Sequence, residues 1–382
     1  MDYLKNNAIF KRYQKTMAFS RIRQYLPMKM ISYVDDRDKI NDAEIITLNW
    51  PNYVLKPSIG IVKDIGIYPR WTKYCRFLEN NSFPYGFYNL HSSDWIEQSY
   101  KYDVIIGIVS SERYHLEEWQ KKFYFLERYL GKTCFPNTDH AFIYENKSIE
   151  AYISQIGDIP FAKTYISHNK EEALSILSSL KYPFVSKVDP ASGSTGVELI
   201  YKPEQAKKII AQAFSLNGRK VHVNYFRQKN YIYFQEFIPN DGYDIRVILT
   251  GKWVFGYYRK VLEGDFRASG MNLKEKRDLP KEAIDLAYKV NKYIKSPLLA
   301  VDMVHGFDGR YTIIEFSPVC RVTTPEEFHI DGTPGAYVIE DDGSIHFIKG
   351  RYWIHELALR EFLLNYYLPK YLDFGAHKSK SL

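Results

Sequence analysis

Three groups of residues carry side chains suited to holding anions and a hard cation. The stretch 186–200, SKVDPASGSTGVELI, places two strand-like arms around a loop holding Ser192, Gly193, Ser194, Thr195 and Gly196. Small residues let backbone N–H groups approach an anion closely, and Lys187 on the incoming arm adds a point charge. A hairpin turn without a ligand satisfies the same pattern, which is neither a P-loop nor a dinucleotide fingerprint. Asp302 interrupts the apolar run LLAVDMV and Glu315 interrupts YTIIEF. Gly306 and Gly309 between them can turn the chain so that the strands pair and both acids share a face. Two such oxygen donors suit Mg²⁺ bound together with phosphate oxygens. Pairing of each acid with a nearby arginine, or exposure to water, is the alternative. Finally, Asp244-Ile245-Arg246 puts an acid and a guanidinium on one strand face, with Arg259 on the next strand and Arg267 beyond it. The three arginines converge if those strands are neighbours, and their planar forks suit carboxylate or phosphate.

Other reactive residue types point nowhere so definite. The ten histidines contain no H-E-x-x-H, and His355-Glu356 lacks a second histidine one turn on, so a zinc site is not expected. His305 follows Asp302 by three residues and Cys320 follows Glu315 by five, neither with a catalytic partner evident nearby. Arg321, next to Cys320, is within reach of a substrate carboxylate.

The elements that must position these residues fall into three blocks. Strands at 58–65, 84–90 and 103–109 alternate with helices at 69–80 and 94–98, the latter capped by Asp94. That alternation argues for a parallel α/β sheet. A second block starts near Cys134. It has an extended segment at 160–165, helices at 170–181 and 203–216, and strands at 184–188 and 197–201. The third block is strand-rich, with strands at 231–238, 244–250, 252–261, 298–304 and 311–316. Gly251-Lys252 stands where a tight hairpin joins two of them. Helices at 280–294 and 351–368 complete it. The expected domains are a basic N-terminal extension (1–55), an α/β domain (56–132), a small subdomain with the glycine-rich flap (133–222), a larger subdomain with a closing helix (223–372) and a tail (373–382).

Composition excludes several classes. With 45% hydrophobic and 25% charged residues the chain is neither disordered nor fibrous. A net charge of +7 is a mild surplus over this length, compatible with an anionic ligand but not a nucleic-acid footprint. Cys75, Cys134 and Cys320 are odd in number and far apart, so a disulfide scaffold is not expected and a reducing, cytoplasmic setting is. No run approaches the roughly 18 apolar residues of a membrane span. Residues 1–30 are basic, and read either as a solvated helix or as a peripheral contact with an anionic membrane or partner.

Taken in order, the motifs resemble the ATP-grasp superfamily, and most closely its glutathione synthetase and ribosomal-protein glutamate ligase branches. The series is an early lysine in YENKSIEAYI, the lysine with its glycine-rich flap, QEFI, DIR, an R…GDFRxxG segment, then Asp…Glu, over about 134–322. The resemblance implies an α+β fold in which a Rossmann-like domain precedes two α+β subdomains that clamp ATP. It implies that Lys147 and Lys187 bind nucleotide under the flap Ser192–Gly196. Gln235, Glu236, Phe237 and Ile238 would form the adenine hinge, with Asp241 as the ribose-binding acid. Arg246, Arg259 and Arg267 would hold phosphate, acyl phosphate or the incoming carboxylate. Asp302 and Glu315 would be magnesium ligands. Ser317 stands where the family usually has a metal-binding asparagine, and a similar change stands at Ser269.

The activity so implied is an ATP- and Mg²⁺-dependent carboxylate–amine ligase. Phosphorylation of the acid gives an acyl phosphate that an amine attacks. A kinase for another acceptor, and a nucleotide-binding module without turnover, are the alternatives. The expected substrates are ATP, a small carboxylic acid and an amine of the amino-acid or amino-sugar type. No nucleic-acid partner is expected, and neither the substrates' identities nor the oligomeric state is legible.

Overall fold

A computed structural model describes residues 33–189, 196–221, 227–262, 264–267 and 273–371. The basic segment 1–32, the flap residues Ser192, Gly193, Ser194 and Thr195, Ser269 and the tail from 372 lie outside the described residues.

The first sheet is parallel, as the β/α alternation predicts. Its strands are β1 (Ile59–Ile61), β2 (Tyr85–Phe87), β3 (Val104–Ile106) and β4 (Thr133–Phe135), in spatial order β2-β1-β3-β4. Helices α1 (Trp71–Asn80), α2 (Trp95–Ser99) and α3 (Arg113–Arg128) connect them. α3 is a 16-residue helix where the sequence reading placed no element. Its buried Leu116, Trp119, Phe123 and Leu126 recur at helical spacing and cover one face of the sheet. Asp94 precedes α2 as expected, but its carboxylate accepts from Ser92 and Gln98 side chains, not from a backbone N–H of the helix.

After α4 (Thr138–Ile143) and α5 (Lys147–Ile156) the chain enters a second, antiparallel sheet. It contains β5 (Thr164–Ser167), β6 (Phe184–Ser186) and β7 (Glu198–Ile200), with helices α6 (Lys170–Ile176) and α7 (Pro203–Ala213). A short pair, β8 (Arg219–Lys220) and β9 (Arg227–Gln228), precedes β10 (Ile232–Glu236), which returns to the middle of the sheet in the order β5-β10-β6-β7. Its core is small and its own: Ala173, Phe184, Ile200, Ala206, Ile209, Ile210, Ile232 and Phe234.

The third sheet has eight strands. β11 (Tyr243–Thr250) and β12 (Trp253–Lys260) form the hairpin foreseen at Gly251-Lys252, with Thr250 paired to Trp253. Gly251 takes φ +54°, and a Cβ there would fall 2.3 Å from the Glu361 carboxylate. β13 (Lys274–Glu275) pairs with β12, and α8 (Lys281–Ile294) leads to β14 (Leu299–His305) and β15 (Tyr311–Ser317). β16 (His329–Ile330), β17 (Thr333–Ile339) and β18 (Ile345–Lys349) extend the far edge, and α9 (Ile354–Phe362) closes the chain.

The sheets divide the chain differently from the expected boundaries. β4 joins the first sheet, so position 133 falls inside it, and β10 joins the second sheet beyond position 223. Nor do residues 33–55 stand apart. Ile40, Ala43 and Ile46 pack into the main core, and Trp353 Nε1 donates to the Ile40 carbonyl at 3.0 Å. These segments carry weak local patterns, and long-range pairing decides where they go.

One core runs between the first and third sheets through α1, α8 and α9. Across it, Arg76 of α1 donates through Nη1 to both Glu356 oxygens of α9, at 2.7 and 2.8 Å, and through Nη2 to the Ala43 carbonyl at 2.6 Å. Glu356 is wholly buried. Removing one partner strands a buried charge, at a cost of about 3–5 kcal/mol. We expect Glu356→Ala to lose about that much, while Glu361→Ala, a half-buried residue near the end of α9 whose carboxylate accepts from the Asn365 side chain at 2.7 Å, loses about 1 kcal/mol. Urea unfolding followed by circular dichroism measures both.

Candidate active site

A cleft with a volume of about 110 Å³ opens between the second and third sheets. Its position follows from two sets of backbone bonds that fasten one sheet to the other. Ala162 N–H donates to the Ile313 carbonyl at 2.8 Å, and Ile313 N–H to Pro160 at 2.9 Å. On the other side, Phe307 N–H donates to Pro239 at 3.1 Å. The second sheet is thus held at its entry and exit, with the cleft between.

The floor is a row of charges on the third sheet. Strand register sets Arg246 of β11 opposite Asp302 of β14, and Asp302 opposite Glu315 of β15. Two residues along, Asp244 lies opposite Arg259 of β12. Arg246 grips Asp302 through Nε and Nη2, both at 2.6 Å. Arg259 grips Asp244 at 2.6 and 2.7 Å and also reaches Asp302 at 2.7 Å. Acid and base therefore alternate across three strands. Burial pushes Asp302 toward its protonated form, but Arg246 and Arg259 outweigh it and hold the carboxyl well below the usual range.

The wall comes from the second sheet and α5. Lys187, just after β6, is buried and donates through Nζ to the Ile314 carbonyl at 3.1 Å. Lys147 opens α5 and faces Glu315 at 3.4 Å. Both oxygens of Asp189 accept backbone N–H groups of that helix, from Lys147 at 2.8 Å and Ser148 at 2.9 Å. The root of the flap is thereby tied to the helix carrying the first lysine. Burial lowers Lys147, yet Glu315 and Glu150 more than restore it, so its pKa is raised. For Lys187 burial dominates and pushes the amine down to about 8. Burial opposes ionisation of Glu315 as well, but the two lysines hold it below its ordinary value.

Gln235, Glu236, Phe237 and Ile238 line the cleft where β10 ends, and Phe266 and Arg267 come over it from the β12–β13 connection. Arg267 is held by Asp265 at 2.9 and 2.8 Å. Of the residues singled out in the sequence, Lys147, Lys187, Gln235, Glu236, Phe237, Ile238, Arg259, Arg267, Asp302 and Glu315 thus line one cleft, with Arg246 beneath Asp302. Gly196 ends the flap with φ +66°, packed on Val188. Asp241 is not brought in. It is exposed and accepts from the Tyr243 N–H, while its neighbour Asn240 lines the cleft. Ser317 is also turned away, its hydroxyl donating to the Val319 carbonyl at 2.7 Å and accepting the Val319 N–H.

Two buried acids escaped the sequence reading. Glu150 accepts the Phe316 N–H at 3.0 Å, and burial together with Glu315 raises its pKa well above the usual range. Glu145 takes φ +60°, has a buried oxygen without a partner among the described residues, and is pushed by burial to about 7. Spacing offered one signal: Glu150 stands three residues after Lys147, on the same helix face.

The donor set suits a hard divalent cation. Asp302 and Glu315 are opposed, ionised oxygen donors, and a third of the Glu315 side chain faces the cleft. Among the described residues no group of three or more His, Cys, Asp or Glu forms a metal centre, so a cation here needs phosphate oxygens to complete its shell.

Two α+β lobes fastened around such a cleft, behind a parallel α/β domain, are the architecture of an ATP-grasp fold. Residues 145–327, just under half of the chain, match the family model for a RimK-like ATP-grasp domain. Alpha-aminoadipate–LysW ligase LysX of Saccharolobus solfataricus is 29% identical over 187 residues, covering 46% of this chain and 62% of that protein. The chain therefore matches less than two thirds of that relative's length. The crystal structure of D-cycloserine synthetase DcsG is similar with a TM-score of 0.53 at 14% identity, covering 80% of this chain and 99% of that one, and shows a shared fold.

The depressed Lys187 amine has a measurable consequence. An anionic triphosphate in the cleft favours the charged form, so binding takes up protons between about pH 8 and the ordinary lysine value of 10.5. Affinity for ATP then falls as pH rises through that window, and Lys187→Arg removes the dependence. Calorimetry of ATP binding in buffers of different ionisation enthalpy checks both.

Proposed function

We propose that the chain is an ATP-dependent carboxylate–amine ligase that forms an amide bond through an acyl phosphate. The observation that supports this most directly is the meeting of Lys147, Lys187, the opposed Asp302–Glu315 pair and the Gln235–Ile238 hinge in one cleft. LysX, by its name, is a ligase that joins alpha-aminoadipate and LysW. The substrates here are ATP, a small acid, and an amine of the amino-acid or amino-sugar type.

A carboxylate resists amines because its charge repels them and its oxygen leaves poorly. Phosphorylation removes both obstacles. In this reading the hinge backbone holds adenine, while Lys147 and Lys187 neutralise phosphate oxygens from the wall. Arg267 does so from above, once it lets go of Asp265. Glu315 and Asp302 are the residues that would hold Mg²⁺, whose chemistry would be to neutralise charge on phosphate oxygens. Arg246 and Arg259 keep Asp302 ionised and fixed. Three free, buried cysteines suit a cytoplasmic setting, and among the described residues no helix is long and apolar enough to cross a membrane.

The test is ADP release in the presence of Mg²⁺, a panel of amino acids and sugar acids, and hydroxylamine as the amine. An acyl phosphate yields a hydroxamate, whereas phosphorylation of a hydroxyl does not. We expect hydroxamate with at least one acid, and a loss on the order of 100-fold or more in Lys187→Met and Glu315→Gln. ADP release without hydroxamate from any acid would replace the ligase with a kinase.

A further inference from the structure

Away from the cleft, α3 ends in a face that its own core does not use. Leu116, Trp119, Phe123 and Leu126 cover the first sheet, yet outward positions near the helix end are aromatic too. Tyr124 is 43% exposed, Phe125 47% and Tyr129 67%. Their rings pack on one another, with centroids 5.0 Å apart for Phe125 and Tyr129, 5.8 Å for Tyr124 and Phe125, and 6.1 Å for Tyr124 and Tyr129. Two neighbouring segments extend the face. Lys132 Nζ donates to the Tyr102 carbonyl at 2.7 Å and lies 5.8 Å from the ring of Tyr100, itself 65% exposed. From the chain leaving α9, Lys370 Nζ donates to the Thr133 hydroxyl at 3.2 Å, next to the exposed Tyr371. These segments meet where β3 and β4 begin, at the amino-terminal edge of the parallel sheet.

The charge of this face is mostly of one sign. Lys121, one turn before the aromatic cluster, is exposed, as are Lys101, Arg128 and Lys370. The acids among them are turned onto donors of the protein. Glu127 accepts the Cys134 N–H at 3.2 Å and the N–H and hydroxyl of Thr138. Asp103 accepts the N–H and hydroxyl of Ser58, both at 2.8 Å. Glu97, one turn before Tyr100, and Asp139, which shares a small cavity with Arg128 and Lys370, stand at the margin.

Exposed rings among cations suit one kind of partner. A tyrosine is apolar with a polar tip, so it settles where hydrocarbon meets water, and lysine or arginine beside it reaches anionic headgroups. A second copy of the chain on the same face would oppose like charges. Single-stranded nucleic acid needs free ring faces for its bases, whereas Phe125 and Tyr129 stack on each other. The orientation agrees as well. The opposite, carboxyl-terminal edge of the sheet meets the chain just after β15, where Arg70 Nε donates to the Cys320 carbonyl at 3.0 Å. A bilayer at the amino-terminal edge therefore leaves the cleft on the side facing water.

We propose that this aromatic and basic face docks the protein peripherally on an anionic lipid bilayer, with the rings of Tyr124, Phe125 and Tyr129 at headgroup depth. The contact is independent of the ligase reading and survives or fails separately from it.

The test is co-sedimentation of the full chain with vesicles of phosphatidylcholine alone and of phosphatidylcholine mixed equally with phosphatidylglycerol. We expect binding to the mixed vesicles only, weakened at least about tenfold at about 1 M salt, where screening acts within about 3 Å. The triple variant Lys101→Glu, Lys121→Glu, Arg128→Glu should abolish it. A second triple variant, Tyr124→Ser, Phe125→Ser, Tyr129→Ser, keeps the net charge and should lower the partition coefficient at least about tenfold. Both variants should bind ATP within twofold of wild type. Binding left unchanged by the ring variant is a general attraction of a basic chain to anionic lipid and overturns the proposal, as does no binding by wild type. Should the ring variant unfold, Tyr129→Ser alone carries the same comparison at smaller amplitude. A wild type that ignores vesicles but loses a dimer, or its affinity for a single-stranded oligonucleotide, in these variants gives the face to a second copy or to nucleic acid instead of a bilayer.

Discussion

The structure turns on the grip of Arg246 and Arg259 on Asp302. A carboxylate in the middle of a buried strand is tolerable only if it is ionised and paired, or neutral and hydrogen-bonded. Here two guanidinium groups keep it ionised, and Asp244 in turn holds Arg259. Each member of the row depends on the next. Replacing one leaves an unmatched charge beside the others, so the four residues act as a unit more than as separate contributors. Their alignment needs β11, β12 and β14 to be neighbours in the observed register, because a slip of one residue would turn every charge into the core.

That register explains why the third sheet and the first share a continuous core while the second sheet keeps a small one of its own. The floor of the cleft has to be rigid, and it rests on α8, α9 and, through them, on α1. The wall carries Lys187 and the flap root on a lobe fastened by backbone bonds at its entry and exit and by Lys187 Nζ to the Ile314 carbonyl. A lobe with its own core can shift as a body at the cost of few contacts. The Asp189 cap on α5 couples such a shift to Lys147, so the two lysines would move together relative to the floor.

Much of this was legible in the sequence, for identifiable reasons. Strong periodicity revealed the parallel sheet, the β11–β12 hairpin and the acid-bearing strands. The order of the motifs pointed to the superfamily and to ten of the residues that line the cleft. What stayed hidden depended on distant partners. Asp241 and Asn240 are adjacent polar residues at the hinge exit, and nothing local says which faces inward. Ser317 stands where the resembled family usually has a metal-binding asparagine, yet its hydroxyl finds a nearer partner in the Val319 backbone two residues on. Glu145 and Glu150 read as ordinary helix-flanking acids, and only burial makes them unusual. The β4 strand looked like the start of a new domain because its parallel partner, β3, lies about thirty residues earlier and across a helix the pattern did not reveal.

The charge balance of the cleft clarifies what it is built to receive. Lys147, Lys187, Arg246, Arg259 and Arg267 supply five cations. Asp244, Asp265, Asp302 and Glu315 are the acids paired with them, whereas burial pushes Glu145 and Glu150 toward their neutral forms. Glu236 also lines the cleft, so five cations face five acids and most of the arginines are already engaged. Pairing of this kind avoids an empty concentration of unmatched charge, which would be costly to fold. A cation held by Glu315 and Asp302 would compete with Arg246 and Arg259 for the Asp302 oxygens, because both guanidinium groups already occupy them.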